Sequence, residues 1–170
     1  MKYFNGFSLC GEEIFFDTWL IKNDFCVAGF SYGAQKALEY TFKSKERIDR
    51  LILLSPAFFH NQKVGFVRTQ LHYFHTARQL YMSQFLQNIS YPSEVDITPY
   101  LHIGSKEELE ELLTYKWDIN KLQTIQNRGT IIEVFLGEKD KIVDAKAALD
   151  FFTPLATTYY IKEAGHLLKR

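Results

Sequence analysis

Residues 29–33 read Gly29-Phe30-Ser31-Tyr32-Gly33, a Gly-x-Ser-x-Gly element set between an apolar run and a stretch of helical spacing. A serine at such a junction sits on a tight, strained turn that lifts its hydroxyl away from the strand. Glycine is required on both sides, because side chains there would collide with the neighbouring strand and helix. The helix that follows presents free N-terminal N–H groups to any negative charge that develops nearby. This is the equipment for nucleophilic attack on an acyl carbonyl, with Ser31 as nucleophile. A chance glycine-rich turn would share the glycines but not the strand before them and the helix after.

A serine hydroxyl is a weak nucleophile without a base. Five histidines are available, His60, His72, His75, His102 and His166. Four lie in a central helical region, where a histidine is usually a packed or solvated residue. His166 follows Gly165 in a short loop after the last apolar β run, and a serine of this type is followed in the chain by an acid and then by a histidine. The acid should come after the run at 130–136, where the sequence is Gly137-Glu138-Lys139-Asp140-Lys141. Asp140 is the choice, with Glu138 and Asp144 as alternatives. An acid there would hold His166 in the useful tautomer and stabilise the imidazolium. Two backbone N–H groups must then meet the oxyanion. One belongs to Tyr32, the residue after the nucleophile, and Asn5-Gly6-Phe7 supplies a loop for the second, with Phe7 as donor. An ordinary glycine turn would explain Gly6 equally simply.

These residues need a scaffold. Residues 2–5 suit a short strand ending at Gly6, and 25–30 a second strand apolar on both faces, as in the centre of a parallel sheet. Residues 32–43 have helical spacing, 51–54 form another buried strand stopped by Ser55-Pro56, and 130–136 a further one. A helix over 144–152, ending before Pro154, and a last strand over 157–161 complete the alternation. The order argues for an α/β fold with a mainly parallel sheet. Residues 57–129 interrupt it with helices. The stretch 64–89 predicts one long helix or a broken pair, Ser105-x-x-Glu108 is a capping box for a helix through 115, and Asp118 can cap a helix over 118–127 that ends before Gly129. Such an insertion could be a lid over a site, or plain helical packing.

The chain of 170 residues is expected to form one domain with its own core. Zero formal net charge implies no general attraction to nucleic acid or to an anionic membrane. The opening residues resemble neither a signal peptide nor a membrane span. Cys10 and Cys26 lack Cys-x-x-Cys spacing and nearby histidines, so neither a metal nor a redox centre is expected, and the thiols suit a cytoplasmic protein.

The elements together resemble the α/β-hydrolase superfamily. Phe4-Asn5-Gly6-Phe7 resembles its His-Gly-aromatic oxyanion element, Gly29 to Gly33 its nucleophile elbow, Gly137-x-x-Asp140 its acid loop, and Gly165-His166 its histidine loop. Within that superfamily the chain resembles the short pimeloyl-[acyl-carrier protein] methyl ester esterases of biotin synthesis, some of which open on Phe-Asn-Gly-aromatic. The resemblance implies a cofactor-free serine carboxylesterase with the triad Ser31, Asp140 and His166. Ser31 follows Phe7 by only 24 positions, and full-length members carry more strands before the oxyanion loop. The expected fold is therefore a truncated α/β-hydrolase fold, a small sheet of about five strands with a helical lid insertion.

From 57 to 93 there is no Asp or Glu, while Lys63, Arg68 and Arg78 are basic. An acyl-carrier protein is strongly acidic, so a basic, aromatic insertion fits it by electrostatic steering; a solvated helix face would look the same. Phe66 and Phe74 could line an acyl channel or pack on the sheet. Competing expectations are a short-chain acyl esterase or thioesterase using the same triad, and a hydrolase-like binding protein without activity.

Overall fold

A computed structural model describes residues 1–170. Five strands, β1 (Lys2–Phe4), β2 (Cys26–Phe30), β3 (Arg50–Leu54), β4 (Ile131–Gly137) and β5 (Thr157–Ile161), form one sheet in the order β1-β2-β3-β4-β5. Every pairing is parallel, with Val27 opposite Leu51 and Leu51 opposite Ile132. The sheet is thus wholly parallel where the sequence predicts a mainly parallel one. The central strands are apolar on both faces because both faces are covered.

One face carries α1 (Tyr32–Lys43), α5 (Ile119–Asn127) and α6 (Ala145–Phe152). Leu38, Leu122, Ile125 and Phe152 pack there on Leu51, Leu53 and Val134. The other face holds Phe16 and Leu20 of the β1–β2 connection, packed with Phe30, Ile52, Leu54 and the C-terminal Leu167. The strands step across the sheet in a single direction, so connections on opposite faces have opposite hands. The three helical crossovers share one hand and the β1–β2 connection takes the other, against the strong preference for one hand in parallel crossovers. That connection contains only a short 3₁₀ helix, Glu12–Phe16.

Between β3 and β4 the chain forms α2 (Phe66–Thr76), α3 (Arg78–Ser90) and α4 (Lys106–Thr114) before α5. Of the two alternatives expected over 64–89, one long helix or a broken pair, the chain forms the pair, broken at Ala77, and Ser105 with Glu108 forms the predicted capping box. The expected insertion over 57–129 needs one correction. Its last helix, α5, is an ordinary crossover helix, with Leu122 and Ile125 fully buried against the sheet layer. Apolar spacing is identical for a helix that caps a site and one that lies on a sheet, so sequence could not separate them. The stems of the insertion are tied together: Trp117 Nε1 and Gln35 Nε2 both donate to the Ala57 carbonyl, and Trp117 N donates to His60 Nε2 at 2.8 Å. No helix is long and apolar enough to cross a membrane.

Candidate active site

The carboxyl ends of the parallel strands open toward one side, and the loops after β1, β2, β4 and β5 carry the residues singled out above. β2 runs directly into α1 through Ser31, which has φ 54° and ψ −111°. A serine in that region is strained and must be held by its surroundings. Its N–H donates to the Leu54 carbonyl at 2.9 Å, and its own carbonyl accepts from Ala34 and Ala57 at 3.1 Å each. The turn is tight enough that a Cβ on Gly29 would lie 2.2 Å from the Gly33 carbonyl oxygen, and one on Gly33 would lie 2.0 Å from that of Phe4. No side chain fits either place. The second contact also shows that the end of β1 rests directly on the elbow.

His166 is fully buried and its Nδ1 lies 2.6 Å from Asp140 Oδ2. Asp140 Oδ1 accepts two backbone N–H groups, from Ile142 at 2.7 Å and Val143 at 3.1 Å. Surrounded by donors, Asp140 acts as an acceptor, so the proton lies on Nδ1 and Nε2 keeps its lone pair. The His166 ring packs on Phe30, centroids 4.9 Å apart, and its carbonyl accepts the Ser55 hydroxyl at 2.7 Å. Nε2 has no hydrogen-bond partner. Phe30 precedes the nucleophile and Ser55 follows the strand that takes its N–H, so the imidazole is fixed to the same framework as Ser31. The structure joins Asp140 to His166 and forms no hydrogen bond between His166 and Ser31; in unliganded enzymes such contacts are often long and tighten with substrate. Glu138 and Asp144 lie elsewhere. Glu138 accepts the Glu163 N–H, and Asp144 caps α6 through the Ala147 N–H.

Tyr32 is the first residue of α1, and its N–H, like that of Phe7, donates to no acceptor in the protein. The two residues sit side by side, ring centroids 6.5 Å apart. Burial, then the hydrogen bond to Glu111 on α4, push the Tyr32 hydroxyl far above its ordinary pKa, so it stays protonated. Ser31 and Phe7 border a cavity of about 510 Å³ walled by α2, α3 and α4. Twelve of its seventeen lining residues are hydrophobic, which suits an apolar chain, and Lys141 is its one charged lining residue.

The aromatic and basic residues of the insertion divide. Phe66 lines the cavity and stacks on Phe59. Phe74 does not line it: it is buried behind the wall against Phe7 and Tyr81, which corrects the expectation of a channel residue. Core packing takes the larger apolar face of α2 inward. Lys63 and Arg68 are exposed and form no ion pair. Arg78 is engaged, donating to the Gly104 carbonyl at 2.7 Å and lying over the Phe74 ring. No group of three or more His, Cys, Asp or Glu residues is placed to hold a metal ion. Sequence reasoning missed Gln35, Ser55, Glu111 and Lys141, none of which carries a motif, and the buried Glu12, which reads as a break in an apolar stretch.

No family model matches this chain, and no curated protein matches it. Among solved structures it is similar to the carboxylesterase CesB (YbfK) from Bacillus subtilis, at 19% identity and a TM-score of 0.58, covering 92% of this chain and 57% of that one. It is similar to MenH from S. aureus at 18% identity and a TM-score of 0.57, covering 83% of this chain and 60% of that one. E-2-(acetamidomethylene)succinate hydrolase aligns over 98% of this chain and 84% of its own, at 12% identity and a TM-score of 0.61. The chain spans little more than half the length of the Bacillus subtilis esterases it matches. These likenesses establish the α/β-hydrolase fold.

Proposed function

We propose that this α/β-hydrolase-fold chain is a serine carboxylesterase, with Ser31 as nucleophile, His166 as general base and Asp140 as the acid that orients it. One observation carries the reading: a strained serine on a strand-to-helix turn shares its framework with a buried histidine whose Nδ1 is engaged 2.6 Å from a carboxylate. His166 Nε2 takes the Ser31 proton as Oγ attacks the ester carbonyl. The resulting oxyanion is met by the Phe7 and Tyr32 N–H groups, which are spent on nothing else. Collapse expels the alcohol, protonated by His166, and leaves an acyl-enzyme on Ser31. Water, activated by the same imidazole, then frees the acid and restores the serine.

The finer reading is hydrolysis of the methyl ester of pimeloyl-[acyl-carrier protein] in biotin synthesis. The apolar cavity beside Ser31 supports an acyl-chain substrate, and the exposed, unpaired Lys63 and Arg68 support an acidic carrier. A general short-chain esterase or thioesterase would use the same cavity and triad. Two measurements test the proposal. A fluorophosphonate probe should label Ser31 alone, and wild type should hydrolyse the carrier-linked methyl ester with a higher kcat/KM than p-nitrophenyl butyrate. Label absent from Ser31 would refute the hydrolase reading. No preference for the carrier-linked ester would reduce the function to a general esterase.

A further inference from the structure

The β1–β2 connection contains a second buried carboxylic acid that the reaction above does not use. Glu12 is fully buried at the start of the 3₁₀ helix. Its Oε1 accepts the Gly6 N–H at 2.7 Å and the Tyr3 hydroxyl at 3.2 Å, while Oε2 is buried without a partner. Burying a carboxyl so completely is costly, and a site that does so must gain from what the group holds. What it holds is Gly6, the residue immediately before the Phe7 N–H.

We propose that Glu12 is a positioning residue of the oxyanion hole, fixing the Asn5–Gly6 peptide and so, through the Gly6 Cα, the direction in which the next peptide presents the Phe7 N–H. The proposal rests on the reading of Phe7 as an oxyanion donor. Several anchors surround this turn, and Glu12 is the one side chain that takes a backbone N–H at Gly6. On the far side, Ser8 holds the loop to the segment before α4, its carbonyl accepting the His102 N–H at 2.9 Å and its hydroxyl the Gly104 N–H at 3.0 Å. The Phe7 ring is packed by Phe74 and Phe85 of the insertion. Those two anchors fix the loop laterally and fix the side chain. The peptide carrying the Phe7 N–H is closed by the Leu9 N–H, which donates to the Gly6 carbonyl at 3.2 Å, and Glu12 holds the peptide just before it, on which that turn pivots.

The direction of its pKa shift fits the role. Burial, the largest influence, raises the Glu12 pKa, and the Gly6 hydrogen bond opposes it only in part. That direction favours the neutral form, which still accepts the Gly6 N–H and places less negative charge behind an oxyanion, where charge would repel the transition state. An acceptor of the right length is what the position needs, and its charge is dispensable.

This yields a pattern that a purely structural carboxyl would not give. Glu12→Gln keeps an acceptor oxygen at the same reach, Glu12→Asp withdraws it by one methylene, and Glu12→Ala removes it. With p-nitrophenyl butyrate, Glu12→Asp and Glu12→Ala should lower kcat about 10–100-fold, below the full cost of losing an oxyanion donor, with KM within about twofold. Glu12→Gln should restore kcat to within about threefold of wild type. Thermal melting shows that each variant is folded; if Glu12→Ala does not fold, Glu12→Asp decides. Full kcat in Glu12→Asp, a loss confined to KM, or a Glu12→Gln as impaired as Glu12→Asp would each overturn the assignment. Fluorophosphonate labelling of wild type separates the two levels. An unlabelled Ser31 would overturn the hydrolase reading and this role with it, whereas a labelled wild type beside an unimpaired Glu12→Asp would overturn the role of Glu12 alone.

Discussion

Asp140→Asn tests the dyad at the level of single protons. Asp140 Oδ1 receives the N–H groups of Ile142 and Val143, at 2.7 and 3.1 Å. An asparagine must offer its carbonyl oxygen to those two donors. Turned the other way it would face them with an NH₂ group, leaving two buried donors unpaired at about 1–3 kcal/mol each. The amide NH₂ therefore points at His166 Nδ1. That nitrogen becomes an acceptor, and the imidazole proton moves to Nε2, the atom that must take the proton of Ser31. The structure thus predicts a locked, unproductive tautomer with no lost backbone hydrogen bond. In a serine protease the equivalent change lowers kcat about 10⁴-fold, which is about 5.5 kcal/mol of barrier. A loss of about 10³–10⁴ in kcat is expected here, with the melting temperature within a few degrees of wild type. The assay is hydrolysis of p-nitrophenyl butyrate beside thermal melting. Glu138→Gln and Asp144→Asn serve as controls, since neither side chain touches His166. A kcat for Asp140→Asn within tenfold of wild type, or an equal loss in either control, would refute the reasoning.

Other consequences are open to simpler measurements. Gly33→Ala places a Cβ 2.0 Å from the Phe4 carbonyl oxygen, so urea unfolding should show a loss of about 3 kcal/mol, with the elbow displaced and turnover abolished. Burial first, and the Lys116 charge second, hold His60 below its ordinary pKa, and its Nε2 must stay unprotonated to accept the Trp117 N–H. The folded state then binds fewer protons than the unfolded chain. This contribution is complete above about pH 6.5, the unfolded value, and is lost as pH falls through the lower native one. Urea midpoints from pH 8 to 5 should decline in wild type and decline less in His60→Gln. Arg68→Glu should raise KM for a carrier-linked ester severalfold at low salt and leave p-nitrophenyl butyrate unaffected. Arg78→Glu should instead lower the melting temperature, because that guanidinium holds the Gly104 carbonyl and covers Phe74.

The positions that were readable in sequence are those where local chemistry leaves little choice. Gly29 and Gly33 mark the elbow because backbone fills the space of a side chain there. The apolar runs at β2 to β4 are continuous because both faces of the sheet are covered. The capping box at Ser105 and Glu108 is a local bargain between neighbours, and the structure forms it as written. Asp140 could not be separated from Glu138 and Asp144 by spacing alone. The separation comes from the turn after β4, which directs only Asp140 at His166. Phe74 and Phe66 look alike in the sequence, and only the packing of α2 decides which faces the cavity. Glu12 was illegible for a different reason. It belongs to a connection without regular periodicity, where no pattern distinguishes a buried carboxyl from a solvated one.

The β1–β2 connection also governs the order in which the molecule can assemble. It packs on its own strand through Phe16 and Phe30 but also reaches well beyond it: Trp19 packs on Phe135 of β4, Leu9 bridges to Leu101, and Cys10 N donates to the Tyr100 carbonyl. These partners are distant in the chain, and closing such loops costs entropy that is repaid only when both ends are in place. The α1 crossover can form from neighbours in sequence, whereas the turn at Gly6 and Phe7, though it rests on the elbow and on Glu12, lacks its hold through Ser8 and the packing of its Phe7 ring until the segment before α4 and the insertion have arrived. On refolding from urea, helical circular dichroism should therefore recover before the capacity of Ser31 to react with a fluorophosphonate. A stretch that comes earlier in the chain would thus be completed after one that comes later, and the interval between the two is set by the residues beyond β3.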